Sequence, residues 1–302
     1  MKIAITGGLG YIGTTLVKHL KGHDVTVIDN LLFGQDKVLD KVDAEFRLIR
    51  EDVREHNEWY KYDAVIHLAA YVGMPICNKT DNTEVISLNA RFTKHLTERL
   101  SANQLLLYPN TNSSYGASTD SICTENSKRN PLSLYAETKD RSEDAVLSKR
   151  NGMAFRLATV MGVSPRMRFD LLVNDFCETA HREKCLKIFE GGFRRNYVSV
   201  NDVARAFVFA LDNWGKVKGE VFNLGNDNAN CTKLDLATVV AFEFGAACYE
   251  MPGEDADKRD YNVSSKKLYD LGFECQDSLL AVIKQNKAWL EQNEVKPWMR
   301  NV

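Results

Sequence analysis

The chain has 302 residues, 39 Lys and Arg against 41 Asp and Glu, and a formal net charge of −2 at pH 7, a balance that excludes a nucleic-acid binder held mainly by counterion release. With 44% hydrophobic and 26% charged residues it has the make-up of a globular protein, and at roughly 150 residues per domain its length predicts about two domains with a large core. Its seven Cys form no C-x-x-C pair and its six His fall into no H-E-x-x-H or Cys/His cluster, so the thiols are read as reduced, the location as cytoplasmic, and no metal is expected.

The chain opens on MKIAIT, a strand pattern with no secretory signal ahead of it. The longest apolar stretches, such as AVIHLAAYVGM, are too short and too interrupted to span a bilayer, so no membrane partner is expected. Short β-rich runs, KIAIT, VTVID, FRLI, AVIHLA and LLLYPN, alternate with segments long enough to cross back over a sheet. This rhythm predicts an α/β fold with a doubly wound parallel sheet. A helix over 10–21 puts Ile12, Leu16, Val17 and Leu20 on one face, and one over 201–211 does the same with Val203, Phe207, Ala210 and Leu211. After Gly162 the rhythm becomes irregular, with a helix near 171–182 and a strand at LKIF, which marks a second, smaller C-terminal domain. The expected division is 1–163 plus 196–224 for the first domain and 164–195 plus 225–302 for the second.

KIAIT leads into Gly7-Gly8-Leu9-Gly10-Tyr11-Ile12-Gly13, a G-x-x-G-x-x-G turn opening a helix. Glycine suits such a turn because the backbone must approach a pyrophosphate and the helix start must pack closely on the strand. VTVID ends in Asp29, 22 positions after Gly7, followed by Asn30 with no Arg in NLLFGQ. An acid there accepts hydrogen bonds from ribose hydroxyls and repels a 2′-phosphate, so the cofactor is read as NAD. Asp52 and Val53 close the third strand, where Asp52 either contacts the adenine amino group or caps a helix. His67 is read as a satisfied sheet-end histidine, with Leu68, Ala69 and Ala70 passing the cofactor.

Tyr135 and Lys139 stand at i and i+4, neighbours on one helical face. A phenol titrates near pH ~10 in water, and use as a base near neutrality needs a shift of ~2 to 3 units, ~3 to 4 kcal/mol, which an ammonium and a cationic nicotinamide ring supply. LLLYPN runs into the hydroxyl-rich turn Thr111-Asn112-Ser113-Ser114-Tyr115-Gly116, at the sheet edge where open α/β sheets bind ligands.

Together the glycine turn, Asp29, HLAA, TNSSYG and YAETK resemble the extended short-chain dehydrogenase/reductases, the NAD-dependent epimerase/dehydratase family acting on nucleotide sugars. Nearly the whole chain takes part: FRLATVMG resembles the family's sixth strand, RRNYVSVNDVARA and VFNLG its following segments, and DKRDYNVSSKKLYDLGF the segment whose arginine meets the substrate diphosphate. The resemblance implies a Rossmann-type fold with a smaller substrate-binding domain. It makes Thr111 the partner of the substrate hydroxyl, Tyr135 the base and Lys139 its activator. It puts Asn112 and Ser113 at the substrate and Arg195 and Arg259 on its diphosphate, where guanidinium forks suit phosphate oxygens.

Two departures matter. Dehydratases of the family carry Asp-Glu where this chain has Asn112-Ser113, so elimination of water by that route is not expected, and Thr159 stands where its sugar epimerases have asparagine. The run from Ser164 to Asn174, with YPNTNSSYG and DKRDY, resembles a subgroup with GDP-sugar carbon-4 dehydrogenases. Asn174 is expected at the diphosphate or sugar and Arg166 or Arg168 at the nucleotide, or each braces the domain junction. The expected activity is NAD-dependent oxidation at carbon 4 of a nucleoside-diphosphate sugar. A 4-epimerase that re-reduces the ketosugar is the alternative, and a non-catalytic NAD-binding protein stands behind both. A homodimer through helices near 83–100 and 134–148 is implied by the resemblance alone.

Overall fold

The computed structural model describes residues 1–118, 120–254 and 259–301. Seven strands form a wholly parallel sheet: β1 (Lys2–Thr6), β2 (Asp24–Ile28), β3 (Arg47–Ile49), β4 (Ala64–His67), β5 (Leu105–Thr111), β6 (Gly152–Leu157) and β10 (Val221–Leu224). Their order is β10-β6-β5-β4-β1-β2-β3. The chain therefore starts in the middle, builds outward one way and then the other, and leaves a crevice between β1 and β4 where the winding reverses. Strands buried on both faces read as apolar runs: Ile3, Ala4 and Ile5 are wholly buried, as are Val65, Ile66, Leu106 and Leu107.

One face of the sheet is covered by α1 (Tyr11–His19) and a long helix at Val200–Asp212, which pack together with Phe155, Phe207 and Phe222 in their shared core. Phe155 and Phe207 meet edge to face at 5.4 Å, so truncating Phe207 to alanine is expected to cost ~3–5 kcal/mol. The other face is covered by the helical run α2 (Met74–Lys79), α3 (Asn82–Ile86), a π-turn at Ser87–Phe92 and α4 (Thr93–Arg99), and by α5 (Leu134–Leu147). The helix expected over 83–100 is thus interrupted. The Asn89 carbonyl accepts from the hydroxyls of Thr93 at 2.8 Å and Ser142 at 2.5 Å, and such competition for a helical carbonyl widens the turn.

The run read as one strand over 155–162 divides. At Ala158, whose amide donates to the Leu224 carbonyl, the chain leaves the large sheet, and β7 (Thr159–Met161) pairs instead with β9 (Arg194–Ser199), which carries β11 (Asn226–Thr232) on its other side. Strand β8 (Cys185–Phe189), the LKIF strand, pairs with β12 (Ala247–Met251). These small sheets and α6 (Leu172–Glu183) enclose a second core of Met167, Phe169, Val173, Tyr197, Leu236 and Val282. No helix among the described residues is long and apolar enough to cross a membrane.

Candidate functional site

A single cavity of about 690 Å³ runs along the carboxyl ends of the central strands, from Asp29 and Asn30 at one end to Arg195, Arg259 and Tyr261 at the other. Its first wall is the glycine turn. Gly7 has φ +63, and a side chain there would meet the Ala69 backbone at 2.8 Å, so this glycine is required both by backbone angle and by the approach of the HLAA segment. At Gly13 a Cβ would lie 2.4 Å from the Gly8 carbonyl, which explains the close seat of α1 on β1. Gly10, at the helix start, has no side chain to fill the space before the free N–H groups of the first turn.

Asp29 is held by two backbone donors, the N–H of Leu9 at 3.0 Å and of Leu31 at 2.9 Å. Burial raises its pKa, against which those two bonds and the charge of Arg166 act. Each carboxylate oxygen thus keeps a lone pair for a diol. Asn30 lies beside it, while Asp52 opens a turn, accepting from Arg54 N–H at 2.9 Å, and is ion-paired to Arg54 at 2.7 Å. Val53, Leu68, Ala69 and Ala70 complete this wall with Tyr11 and Ile12. The cradle fits a dinucleotide: a tight glycine turn, an unobstructed helix start and a carboxylate at the expected reach. Among the described residues no group of three or more His, Cys, Asp or Glu is placed to hold a metal.

His67 lies below the site, 1% exposed, between the hydroxyls of Thr6 at 2.7 Å and Thr93 at 3.1 Å. Burial first, and then Lys139, lower its pKa to about 3. It is a neutral structural histidine, as its place in the sequence suggested.

Along the same cavity Thr111 ends β5 and caps the next turn, accepting from Ser113 N–H at 3.1 Å. Tyr135 enters from the first turn of α5, which Ser133 caps through Ala136 N–H at 3.3 Å. Burial pushes the Tyr135 phenol up to about 12; Arg168, a hydrogen bond with Thr111 and Arg259 pull it down, while Cys77 adds to the rise. Lys139 is 3% exposed and burial lowers it to about 7, the same low-dielectric wall acting on two groups of opposite charge type. Behind them a buried frame locks β5 to α5 and β6. Asn110 donates to Glu143 at 2.5 Å, Arg156 pairs with Glu143 at 2.7 Å and donates to the Tyr115 hydroxyl at 3.0 Å, and Ser114 donates to Asp140. This frame fixes the relative positions of Thr111 and Tyr135.

Arg195 and Arg259 share the far end. Arg195 donates to the carbonyl of Arg259 and lies 5.6 Å from the Tyr261 ring, and Arg259 donates to the Ser113 hydroxyl. Asp257 and Lys258, which directly precede Arg259, lie outside the described residues.

Two expected substrate contacts are corrected. Asn174 is fully buried and off the cavity: its amide donates to the Tyr11 hydroxyl at 3.2 Å and the Arg168 carbonyl at 3.0 Å, and accepts from Gly162 N–H and Asn286, each at 3.0 Å. With its hydrogen-bonding capacity spent on α1, α6 and the C-terminal helix (Leu279–Gln292), it braces their junction. Asn112 turns inward likewise, donating to Asn196 at 3.4 Å. Sequence reasoning missed two residues at the centre. Tyr108, in an apolar strand, gave no signal, and Asp170, which pairs with Arg168 at the cavity wall, lay in a run whose geometry no periodicity reveals.

Residues 3–225 match the NAD dependent epimerase/dehydratase family. The chain is 30% identical to the UDP-glucose 4-epimerase of Lactobacillus helveticus across 74% of this chain and 76% of that protein. It is 26% identical to a putative UDP-glucose 4-epimerase of Methanocaldococcus jannaschii across 96% and 99%. Among solved structures it resembles the UDP-glucose 4-epimerase of Thermotoga maritima with UDP-glucose, with a TM-score of 0.84, 24% identity and coverage of 97% of this chain and 99% of that one, a likeness of fold.

Proposed function

We infer the reaction of this chain, which belongs to the NAD-dependent epimerase/dehydratase family and is an NAD-dependent enzyme of the short-chain dehydrogenase/reductase class, as oxidation at carbon 4 of a nucleoside-diphosphate sugar. The observation that carries this is the meeting, in one cavity, of the dinucleotide cradle around Asp29, the Thr111–Tyr135–Lys139 centre and the Arg195–Arg259 pair.

When bound, NAD supplies the hydride acceptor. The chain's own groups do the rest. Arg195 and Arg259 take the sugar nucleotide's diphosphate and so set the distance of the sugar from Tyr135. The Thr111 hydroxyl orients the reacting sugar hydroxyl, and the Tyr135 oxygen accepts its proton as the C4–H bond yields its hydride. A phenol at about 12 holds its proton at neutral pH; Arg168 and a charged Lys139 lower the cost of the phenolate. Asn112 and Ser113 supply no carboxylic acid, which favours a simple oxidation or its reversal over elimination of water.

Re-reduction from the other face makes the same centre a 4-epimerase, and the relation to the Lactobacillus helveticus enzyme favours that second reading. The division of labour belongs to this inference as well: residues 1–163 and 196–224 for the cofactor, 164–195 and 225–302 for the sugar nucleotide. So do a cytoplasmic location and a homodimer through the 83–100 and 134–148 helices.

The test is to present the NAD-loaded protein with GDP-, UDP-, dTDP- and CDP-sugars, following reduced nicotinamide and product mass. Lasting reduction with loss of two hydrogens denotes a dehydrogenase, and an isomer of unchanged mass an epimerase. Silence across the panel with NAD bound overturns the reading.

A further inference from the structure

Arg166 is the side chain whose place the reaction does not yet use. The segment before it is pinned to the first turn of α1: the Ser164 hydroxyl donates to the Tyr11 carbonyl at 2.7 Å and lies 2.9 Å from that of Thr14 and 3.2 Å from that of Thr15. Two residues on, Arg166 forms part of the cavity wall. Its guanidinium is anchored through three bonds, to the carbonyls of Met167 at 3.0 Å and Trp298 at 2.9 Å and to the side-chain oxygen of Asn301 at 2.6 Å. All three acceptors are neutral, and they leave two of its five N–H groups unspent. Among the described residues no carboxylate pairs with it, whereas its neighbour Arg168 is ion-paired to Asp170. It lines the same cavity as Asp29, Arg168 and Asp170, and its charge is felt by Asp29.

Burying an uncompensated guanidinium is costly unless an anion meets it. The same cavity is lined by the glycine turn and the α1 N-terminus, whose first turn carries no acidic residue. Two positive elements lining one dinucleotide cradle suit a diphosphate. The anchor of Arg166 reaches further. Asn301 itself lines the cavity, and Trp298 lies under Lys37, 5.9 Å from ammonium to ring. Residues 297–301 therefore tie the wall at 166–170 to the loop beyond Asp29.

We propose that Arg166 is, with the α1 N-terminus, a ligand of the NAD diphosphate, and that residues 297–301 hold it there, keeping the cofactor bound between turnovers. This rests on the reading of the cavity as an NAD site. Slow cofactor loss is what a cycle of oxidation and re-reduction requires.

The experiment is calorimetric titration of nucleotide-free protein with NAD, with stopped-flow measurement of NAD release and a melting curve of the free protein. Arg166→Met is expected to weaken NAD at least tenfold and to flatten the salt dependence of binding. Asn301→Ala, a change at the cavity edge, is expected to speed NAD release severalfold, and to add nothing once Arg166 is gone. Binding by Arg166→Met within twofold of the parent overturns the diphosphate assignment, and unchanged release from Asn301→Ala overturns the role of 297–301 even where Arg166→Met does not fold. A parent protein that binds no NAD overturns the NAD-site reading itself, a separate outcome.

Discussion

The Lys139 ammonium lies 3.9 Å from the centroid of the Tyr108 ring. The two residues are 3% and 1% exposed, and no hydrogen-bond or ion-pair acceptor faces the ammonium among the described residues, so the negative face of the ring is its main support. Tyr108→Leu removes that support, whereas Tyr108→Phe keeps it. Turnover is expected to fall between about twofold and thirtyfold in the leucine variant, the span of a cation–π contact of ~0.5–2 kcal/mol, and to stay within about twofold in the phenylalanine variant. Equal losses in both would assign the effect to the hydroxyl.

Arg168 leads the groups that pull the Tyr135 phenol down against burial. A base must be deprotonated to act, so activity rises with pH through its pKa. Arg168→Gln moves that limb to higher pH and lowers turnover at neutral pH on the order of tenfold. A pH profile that keeps its limb while losing height would make Arg168 a binding residue instead.

His67 predicts a pH dependence of stability. Its folded pKa of about 3 lies below the ordinary imidazole value of 6.5, so the unfolded chain takes up the proton first. The stability linked to the neutral ring is complete above about 6.5 and is lost progressively as pH falls toward about 3. Replacing His67 by Gln is expected to flatten the fall in urea midpoint over that window, whatever it costs at neutral pH. An unchanged slope would transfer the acid sensitivity to the carboxylates.

Asn174→Ala leaves the Gly162 amide and the Tyr11 hydroxyl short of a partner in a sealed junction. The expected cost is ~1–3 kcal/mol of stability, with KM for the sugar nucleotide unaltered. A raised KM at native stability would return Asn174 to the substrate.

What the sequence disclosed follows from how each feature is encoded. The glycine turn, Asp29, and Tyr135 with Lys139 were legible because their spacing is local: a strand, a turn and one helical face set them. Tyr108 was not, because a ring in an apolar strand is indistinguishable from core until α5 lays Lys139 across it. For Asn174 the sequence leaves the substrate and the domain junction both open, and only the meeting of α1, α6 and the C-terminal helix consumes its amide. The break at Ala158 was hidden for a related reason: an apolar run looks the same whether it stays in one sheet or passes into the next.

The central claim is that Tyr135 accepts a proton from a sugar hydroxyl while hydride leaves carbon 4 for NAD. Single-turnover absorbance of the reduced nicotinamide, with a nucleotide sugar deuterated at carbon 4, tests it most directly. The account predicts a reduced-cofactor signal that deuterium slows severalfold and that vanishes in Tyr135→Phe while NAD still binds. Product formed with no such signal and no isotope effect, or at the parent rate in Tyr135→Phe, would contradict it.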